Sequence, residues 1–591
     1  MNLFNRWKGV AVTLTLVGGF AACSSKNNSF PPDPPLIPIT DSGAEEAAPP
    51  PACTGHRCSR DLHSVVDGCT DQTVEACSAE MGCAGGHCVS ACDSAAASQG
   101  SIGCSFWTVP PDVGHESQTS CYAAFVANTW STPVKVTAEY GSAALDISNS
   151  VYRAKTAADG TIAYDPLLGT IPPGEVGIVF LAQGEPAVGN NWIGCPDGVN
   201  VAFHDNPIKQ HGTTIYDAFH LSTDAPVSAY SIYPYGGAKS YIPSATLLIP
   251  SASWGTSYFL VDGWPASAGG SLPFIQIVAQ QDDTEIKMRP TVDVKDGVGV
   301  SGSPHGFVGT WTLKRGQVLE LSQLDSLAGT PVQTNHPVAV FGGSQCVDVP
   351  SNSAACDSLH QQIPSVGQWA SKYSAVPYET RRVAMQPPPA EAVIWKVVAA
   401  RDGTTLTYEP TTPRDAPTTL AAGQIATFTA DAPFTVKSQG NDYPFYVAVY
   451  MSGATQYGTQ GDPDFVNIIP DEQFLDHYVF FVDFTYADSN LTFVRRKDEN
   501  GFHDVTLDCA GTITDWKSLG KDDSIQYAWV DLTRNRAGVK HPAGTCTYGR
   551  HEASSDGAFG LYVWGEDFCA SYGFPAGAGS RPTSPYTVDL H

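Results

Sequence analysis

Short apolar strands alternate with proline, glycine and polar turns along most of this chain, and few stretches show the 3.6-residue spacing of an amphipathic helix. One pattern recurs three times: a proline opens an apolar strand, and a second proline and then a tyrosine follow. The copies are Pro226 with Pro250 and Tyr258, Pro337 with Pro364 and Tyr373, and Pro444 with Pro470 and Tyr478. Successive copies start 111 and 107 residues apart. This self-similarity predicts that one unit of sequence was duplicated along the chain.

A second recurring segment lies between these copies. Each version has an apolar strand, a polar turn and a strand of alternating apolar and polar residues, which is typical of a β-hairpin. The three versions occupy residues 126–134, 278–286 and 398–406, and glycine-led strands follow at Gly174, Gly316 and Gly423. These patterns predict an all-β protein.

A unit of about 110 residues has the size of one β-sandwich, so we expect tandem sandwich-like units. A propeller-like closure is the alternative, in which each repeat would supply two blades. The repeated domain is expected at residues 93–580, with units at about 104–222, 223–334, 335–441 and 442–580 and a tail at 581–591. The aromatic residues at repeat positions are predicted to be packing anchors rather than a carbohydrate platform, namely Trp254, Tyr258, Trp369 and Tyr373.

The N-terminal residues predict an export signal. Two basic residues precede a short apolar run, and Gly19–Cys23 resembles the lipobox at which lipoproteins are cleaved. We therefore predict a lipoprotein signal peptide at residues 1–22 and a lipid such as palmitate on Cys23. Because Ser24 follows, we expect localisation at the outer membrane or cell surface. An ordinary secretory signal is the alternative, since Phe20 replaces the usual leucine.

Residues 23–52 are rich in proline and poor in aromatic residues, so we expect a disordered tether. Removing residues 1–22 takes away two basic residues and no acid, which leaves 30 basic and 59 acidic residues and a formal net charge of −29. This charge argues against nucleic acid as a partner, because phosphates require a basic face. Calcium stays possible with so many carboxylates, but no EF-hand spacing is present and we predict no cofactor.

Seven of the 16 cysteines lie within residues 53–92, which predicts a small module held together by disulfides. Zinc is the alternative because histidines lie among these cysteines, but no C-x2-C pair is present. Bonds within the module would use Cys53, Cys58, Cys69, Cys77, Cys83 and Cys88. Elsewhere we expect Cys92–Cys104, Cys121–Cys195, Cys346–Cys356 and Cys509–Cys546, with Cys569 left over. Connectivity is not deducible from spacing, so other pairings stay open.

Residues 336–346 and 355–364, followed by Trp369 and Tyr373, resemble the N-terminal domain of the IgGFc-binding protein family. Similar sequence segments recur elsewhere in the chain, so the resemblance covers about residues 104–580. With a lipobox and a cysteine-rich leader, the chain is similar to bacterial, myxobacterial-type lipoprotein members. The resemblance implies a role in extracellular recognition or adhesion. The animal namesake is credited with binding the Fc part of immunoglobulin G, but no contact residue carries over.

Two candidate nucleophiles lie close together in the second repeat. Residues 342–346 lack the final glycine of a G-x-S-x-G elbow, which argues against a serine hydrolase. Cys346 with His360 could form a thiol and its base. A structural bridge from Cys346 to Cys356 is the favoured interpretation, because an exported protein meets an oxidising compartment.

Other catalytic patterns are equally incomplete. His204, His211 and His220 do not have the spacing of an H-E-x-x-H zinc protease. Gly461–Asp464 resembles the Gly-Asp-Pro-His site at which some extracellular domains cleave themselves, but Asp464 replaces the histidine. A turn is the favoured interpretation of this segment. We therefore predict no catalytic, cofactor or metal residues and no enzymatic activity.

The predicted function is that of a lipid-anchored cell-surface protein with an extracellular binding or adhesion role, exerted through the repeated β units. Its ligand is expected to be an extracellular protein or glycan, and its contact with the membrane to be through the lipid alone. One alternative is an extracellular hydrolase whose site is built from loops of several repeats. Another is an envelope structural protein without a specific ligand.

Overall fold

The computed structural model describes residues 55–114, 117–156, 161–186, 191–266, 270–381, 390–458 and 460–590. The predicted signal peptide, Cys23, the tether and Cys53 lie outside these ranges. The described residues form 41 strands, one α-helix and five short 3-10 helices. In this part of the chain, no helix has both the length and the apolar character needed to cross a membrane.

The N-terminal module is a set of short strands closed by disulfides. Strands β1 (His56–Cys58), β2 (Ser64–Asp67) and β3 (Thr73–Ala76) form one antiparallel sheet, and β4 (Met81–Ala84) and β5 (His87–Ser90) form a hairpin. Helix α1 (Ala91–Ser98) follows, and its N-cap Ser90 accepts a hydrogen bond from the Asp93 N–H. The module is linked internally by Cys58–Cys83 and Cys77–Cys88 and to β6 by Cys92–Cys104.

The first large sheet has nine strands arranged around one long strand. In chain order its region contains β6 (Ile102–Thr108), β7 (Tyr122–Ala127), β8 (Val136–Tyr140), β9 (Ala143–Leu145), β10 (Val151–Thr156), β11 (Ile162–Pro166), β12 (Val176–Ala182), β13 (Thr214–Asp217), β14 (Phe219–Tyr233) and β15 (Ser244–Leu248). Strand β13 belongs to the second sheet. The long β14 pairs with β6, β7, β8 and β15, so it organises the whole sheet.

The second sheet has eight strands and repeats this plan. Besides β13 it contains β16 (Gly255–Phe259), β17 (Pro273–Ala279), β18 (Thr284–Met288), β19 (Gly309–Leu313), β20 (Gln317–Ser322), β21 (Pro331–Val347) and β22 (Asp357–Ile363). The long strand is now β21, which pairs with β16, β17, β18 and β22.

The third region is divided among three smaller sheets. It contains β23 (Lys372–Ala375), β24 (Val393–Ala399), β25 (Thr404–Thr405), β26 (Thr407–Glu409), β27 (Thr419–Leu420), β28 (Ile425–Ala430), β29 (Phe434–Lys437), β30 (Phe445–Met451) and β31 (Asp464–Asn467). Here two separate strands, β29 and β30, stand where the other regions have one long strand.

The fourth sheet has ten strands. It contains β32 (Leu475–Val482), β33 (Asp488–Arg496), β34 (Val505–Leu507), β35 (Gly511–Thr512), β36 (Lys517–Leu519), β37 (Ile525–Arg534), β38 (Ala537–Lys540), β39 (Thr545–Cys546), β40 (Gly549–Asp567) and β41 (Ala570–Pro575). The 3-10 helices are Gly237–Lys239, Ser251–Ser253, Val366–Gln368, Ala454–Gln456 and Asp471–Gln473.

The last strand of each region meets its counterparts in a ring. Strand β15 contacts β22, β22 contacts β31, β31 contacts β41, and β41 contacts β15. We call these four the inner strands. The Gln361 side chain spans three of them, because its Nε2 donates to the carbonyls of Ala245 at 2.8 Å and Gly573 at 3.0 Å. Asn467 Nδ2 donates to the Gln362 carbonyl at 2.8 Å and joins the remaining strand.

The predicted all-β class with several sheets behind a disulfide-rich module is confirmed. The sheets curl like half-barrels, and the described ranges contain no closed propeller. The expected unit boundaries after residues 222 and 334 fall inside the continuous strands β14 and β21. The repeat-position aromatics are buried, as expected of packing anchors: Trp254, Tyr258, Trp369 and Tyr373.

Candidate functional site

Four turns lead into the inner strands: residues 234–243 before β15, 348–356 before β22, 452–458 with 460–463 before β31 and 568–569 before β41. They gather at one end of the ring, and we call this surface the turn face. Because each turn is held between two strands of a rigid sheet, the turn face suits a binding site.

Hydrogen bonds connect the second, third and fourth turns. Gly453 N–H donates to the Val349 carbonyl at 2.7 Å, and Thr455 Oγ1 donates to the Ala354 carbonyl at 3.1 Å. Gly461 N–H donates to the carbonyl of Asp567 at 2.8 Å, at the start of the fourth turn. The turns therefore form one connected surface.

Two exposed aromatic side chains join the first turn to the fourth. Tyr241 is 40% exposed and Phe568 is 56% exposed, and their rings meet edge to face with centroids 6.4 Å apart. Tyr241 has a φ of 62°, so its turn holds a tyrosine in a conformation that residues with a Cβ rarely adopt. Exposed aromatic residues are enriched at protein-binding surfaces, since they bury a large area with few rotatable bonds.

The half-exposed Cys569 is next to this pair and forms no disulfide within the described ranges. Burial and the nearby Asp462 raise the pKa of its thiol. Such a thiol is less ionised at neutral pH than an ordinary cysteine, and thiolates are the reactive form. Cys569 is therefore a poor nucleophile.

Three carboxyl groups lie buried beneath the turn face. Burial raises the pKa of Asp462 to about 8, and it raises the pKa of Asp357 and Asp464 well above the ordinary range. Oδ2 of Asp357 and Oδ2 of Asp464 have no hydrogen-bond partner in the described structure. These acids are held protonated near neutral pH, because an unpaired buried carboxylate is costly. Asp462 and Asp464 belong to the Gly461–Asp464 segment, so that segment leads into β31 rather than forming an exposed turn.

Cys346 and His360 do not form a catalytic pair. The Cys346 sulfur is bonded to Cys356, with an S–S distance of 1.99 Å. His360 is buried and its Nε2 donates to Gln276 Oε1 at 2.9 Å, and burial lowers its pKa to about 3. Further disulfides of the body are Cys121–Cys195 and Cys509–Cys546.

His211 and His220 of the first region have different carboxylate partners. His211 Nδ1 pairs with Asp112, and His220 Nδ1 pairs with Glu139 on another strand. Among the described residues, the group with metal-ligand proximity is Asp508, Cys509 and His551. The Cys509 sulfur is in a disulfide, so it offers no thiolate to a metal ion.

Sequence reasoning did not select Tyr241 or Phe568. Each is a single aromatic residue in a polar turn, without a periodic pattern to distinguish it from other tyrosines and phenylalanines. The available cue was their position just before strands that belong to the recurring pattern. Only the ring of inner strands shows that the two turns meet.

A protein-family model described as IgGFc binding protein matches residues 244–565. No curated protein and no solved structure has significant similarity to the chain. The matched segment contains the inner strands β15, β22 and β31 and ends within β40. Tyr241 and Phe568 lie just outside its two ends.

Proposed function

This chain belongs to the IgGFc binding protein family, and from that premise we propose that it is an extracellular protein that binds a protein ligand through the turn face. The Fc region of immunoglobulin G is the ligand to which the family description points. The oxidised cysteines support an extracellular location.

The exposed pair of Tyr241 and Phe568 carries this proposal. The two side chains lie just outside the two ends of the matched segment and meet on a surface built by four connected turns. Aromatic anchors supply most of the affinity in many protein interfaces, because they remove a large apolar area from water. Rigid sheets behind the turns reduce the entropy that binding would otherwise lose.

The test uses the purified chain without its signal peptide and immobilised immunoglobulin G Fc. The double variant Tyr241→Asn and Phe568→Ser should weaken binding at least about tenfold. Asparagine is chosen at position 241 because it tolerates a positive φ. Phe307→Ser is the matched control, since Phe307 is 69% exposed but lies before β19 on the second sheet.

Two outcomes would count against the proposal. If the wild-type chain does not bind Fc at micromolar concentration, the ligand is wrong. If Fc binds and the Phe307→Ser variant loses affinity while the double variant does not, the turn face is not the binding site.

We further propose that the protein is anchored to the outer membrane or cell surface by lipid on Cys23, with residues 23–52 as a tether. The lipobox-like Gly19–Cys23 and the proline-rich segment that follows support this proposal. Cys23→Ser should release the protein into the soluble extracytoplasmic fraction. A variant that stays with membranes after a carbonate wash would contradict the anchor.

A further inference from the structure

Ser105, His220 and Glu139 lie side by side on three paired strands of the first sheet. Strand β14 carries His220 between β6, which carries Ser105, and β8, which carries Glu139. Ser105 Oγ is 2.9 Å from His220 Nε2, and Glu139 Oε2 is 2.9 Å from His220 Nδ1. The hydroxyl, imidazole and carboxyl groups thus form one continuous chain of hydrogen bonds.

The charges of the neighbours decide which imidazole nitrogen carries the proton. Hydrogen bonds from Arg315 and His220 lower the pKa of Glu139, so its carboxylate is ionised and can only accept. The 2.9 Å contact therefore requires a proton on Nδ1 of His220. Nε2 is left with a lone pair that accepts the hydrogen of the Ser105 hydroxyl at 2.9 Å, and the Ser222 hydroxyl lies farther from the same nitrogen, at 3.3 Å.

Packing holds the imidazole in this orientation. The His220 ring stacks on the buried Trp107 ring with centroids 4.2 Å apart and an interplanar angle of 17°. Arg315 Nη2 donates to Glu139 Oε2 at 2.5 Å, and its guanidinium lies over the same Trp107 ring. Burial lowers the pKa of His220, so the imidazole is neutral and able to accept a proton at pH 7.

The Ser105 hydroxyl has a second partner that leaves its hydrogen available. Ser251 Oγ donates to Ser105 Oγ at 2.9 Å, so Ser105 accepts there and donates to His220. Ser105 is partly exposed, and so are the side chains of Glu139 and Arg315 at the rim. Ser105 therefore lies at the solvent boundary of the sheet rather than in its core.

We propose that Ser105, His220 and Glu139 form a hydrolytic site for carboxylic esters with a small acyl group, separate from the turn face and independent of its ligand. Ser105 is the nucleophile, His220 the general base and acid, and Glu139 the residue that orients the imidazole. The Ser251 hydroxyl, which donates to Ser105 Oγ, keeps the hydrogen of that oxygen directed at His220.

The reaction needs only the ester and water. Ser105 Oγ forms a bond to the ester carbonyl carbon while its proton passes to His220 Nε2. The bond between that carbon and the alcohol oxygen breaks, and the alcohol leaves with the proton from Nε2. Water then attacks the acyl-serine carbonyl carbon while Nε2 takes its proton. The bond between that carbon and Ser105 Oγ breaks, Nε2 returns the proton to Oγ, and the carboxylic acid leaves.

The local packing selects a small acyl group. Gly103 precedes Ser105 by two residues and therefore faces the same side of β6. A Cβ on Gly103 would lie 2.4 Å from the Pro250 ring, so that ring fills the space along the strand. An acetyl group needs less space along this strand than a long acyl chain does.

The experiment uses a fluorophosphonate probe and p-nitrophenyl acetate with the purified chain lacking its signal peptide. We expect the probe to label Ser105, as identified by peptide mass mapping, and Ser105→Ala to abolish labelling and hydrolysis. His220→Gln and Glu139→Gln should lower the rate, His220→Gln by about 10²–10⁴-fold. Ser148→Ala, an exposed serine of the same region, is the matched control and should retain the wild-type rate.

The folded state of each variant is checked by its melting temperature, so loss of activity can be separated from loss of structure. The rate should fall at acidic pH as His220 is protonated, with Glu139 and Arg315 as the charged groups that face it. Absence of labelling in the wild-type chain, labelling at Ser222 or Ser251, or full activity of Ser105→Ala would overturn the proposal.

Discussion

The Tyr373 hydroxyl donates a 2.6 Å hydrogen bond to the Phe445 carbonyl and accepts one of 3.1 Å from the Ala370 N–H. The tyrosines of the other two copies make the same pair of bonds: Tyr258 with Val338 and Gly255, and Tyr478 with Phe559 and Leu475. Val338 and Phe445 directly follow the prolines that open the next copies. Each tyrosine hydroxyl therefore links its copy of the pattern, through a hydrogen bond, to a later part of the chain.

Tyr373→Phe should lower the free energy of unfolding by about 1–3 kcal/mol, because the buried Phe445 carbonyl and the Ala370 N–H would both lose a partner. Urea unfolding followed by tryptophan fluorescence measures the change. Tyr443→Phe serves as the control, since Tyr443 is half-buried and stacks on Arg401. Equal stability of the two variants would mean that the tyrosine bond does not stabilise the sheets.

Lys396→Met should destabilise the protein by about 3–5 kcal/mol, because it breaks a buried ion pair. Lys396 Nζ, from β24, donates to the Gly263 carbonyl at 2.7 Å and lies 3.8 Å from Asp262 Oδ1. Removing the ammonium group leaves the buried Asp262 without its cation. The exposed Lys437→Met is the control. If Lys396→Met destabilises the protein no more than Lys437→Met does, the buried ion pair does not stabilise the fold.

Replacing Cys346 and Cys356 by serine should lower the free energy of unfolding by about 2–3 kcal/mol, as expected for a short loop in the chain-entropy model. The melting temperature should fall by several degrees. Binding through Tyr241 and Phe568 should persist, because they lie on other turns. Peptide mapping without reductant provides the independent check, since a Cys346 that alkylates rapidly at neutral pH would exclude this disulfide.

Asp462→Asn should change the pH dependence of stability. Burial raises the Asp462 pKa from an ordinary 3.8 to about 8, so the folded protein binds this proton more tightly than the unfolded chain. Its stabilising contribution is complete below pH 3.8 and is lost as the pH rises towards 8.

The Asp462→Asn variant cannot lose this proton, so it should gain stability relative to the wild type between pH 5 and pH 8. Urea unfolding at the two pH values measures the difference. The exposed Asp431→Asn variant should follow the wild type at both. A stability difference that does not depend on pH would show that Asp462 has the same charge in both states.

The recurring proline pattern marked where apolar strands begin, but it could not show how those strands are distributed among the sheets. Strand β21 begins at Pro331, before Pro337, and receives Tyr258 from the preceding copy. A pattern of prolines marks local strand starts, because proline acts on its own backbone and its neighbour. Which strand pairs with which depends on contacts between residues far apart in sequence.

The sequence by itself determined the all-β class, the cysteine-rich module and the family resemblance, since alternation, turn residues and cysteine density are local properties. The tertiary structure alone decided that Tyr241 meets Phe568 and that Ser105, His220 and Glu139 share one sheet face. Strand register and the ring of inner strands create these neighbours, and both arise from packing across the whole chain. The chemical role of a side chain in one strand therefore depends on neighbouring strands that its local sequence does not identify.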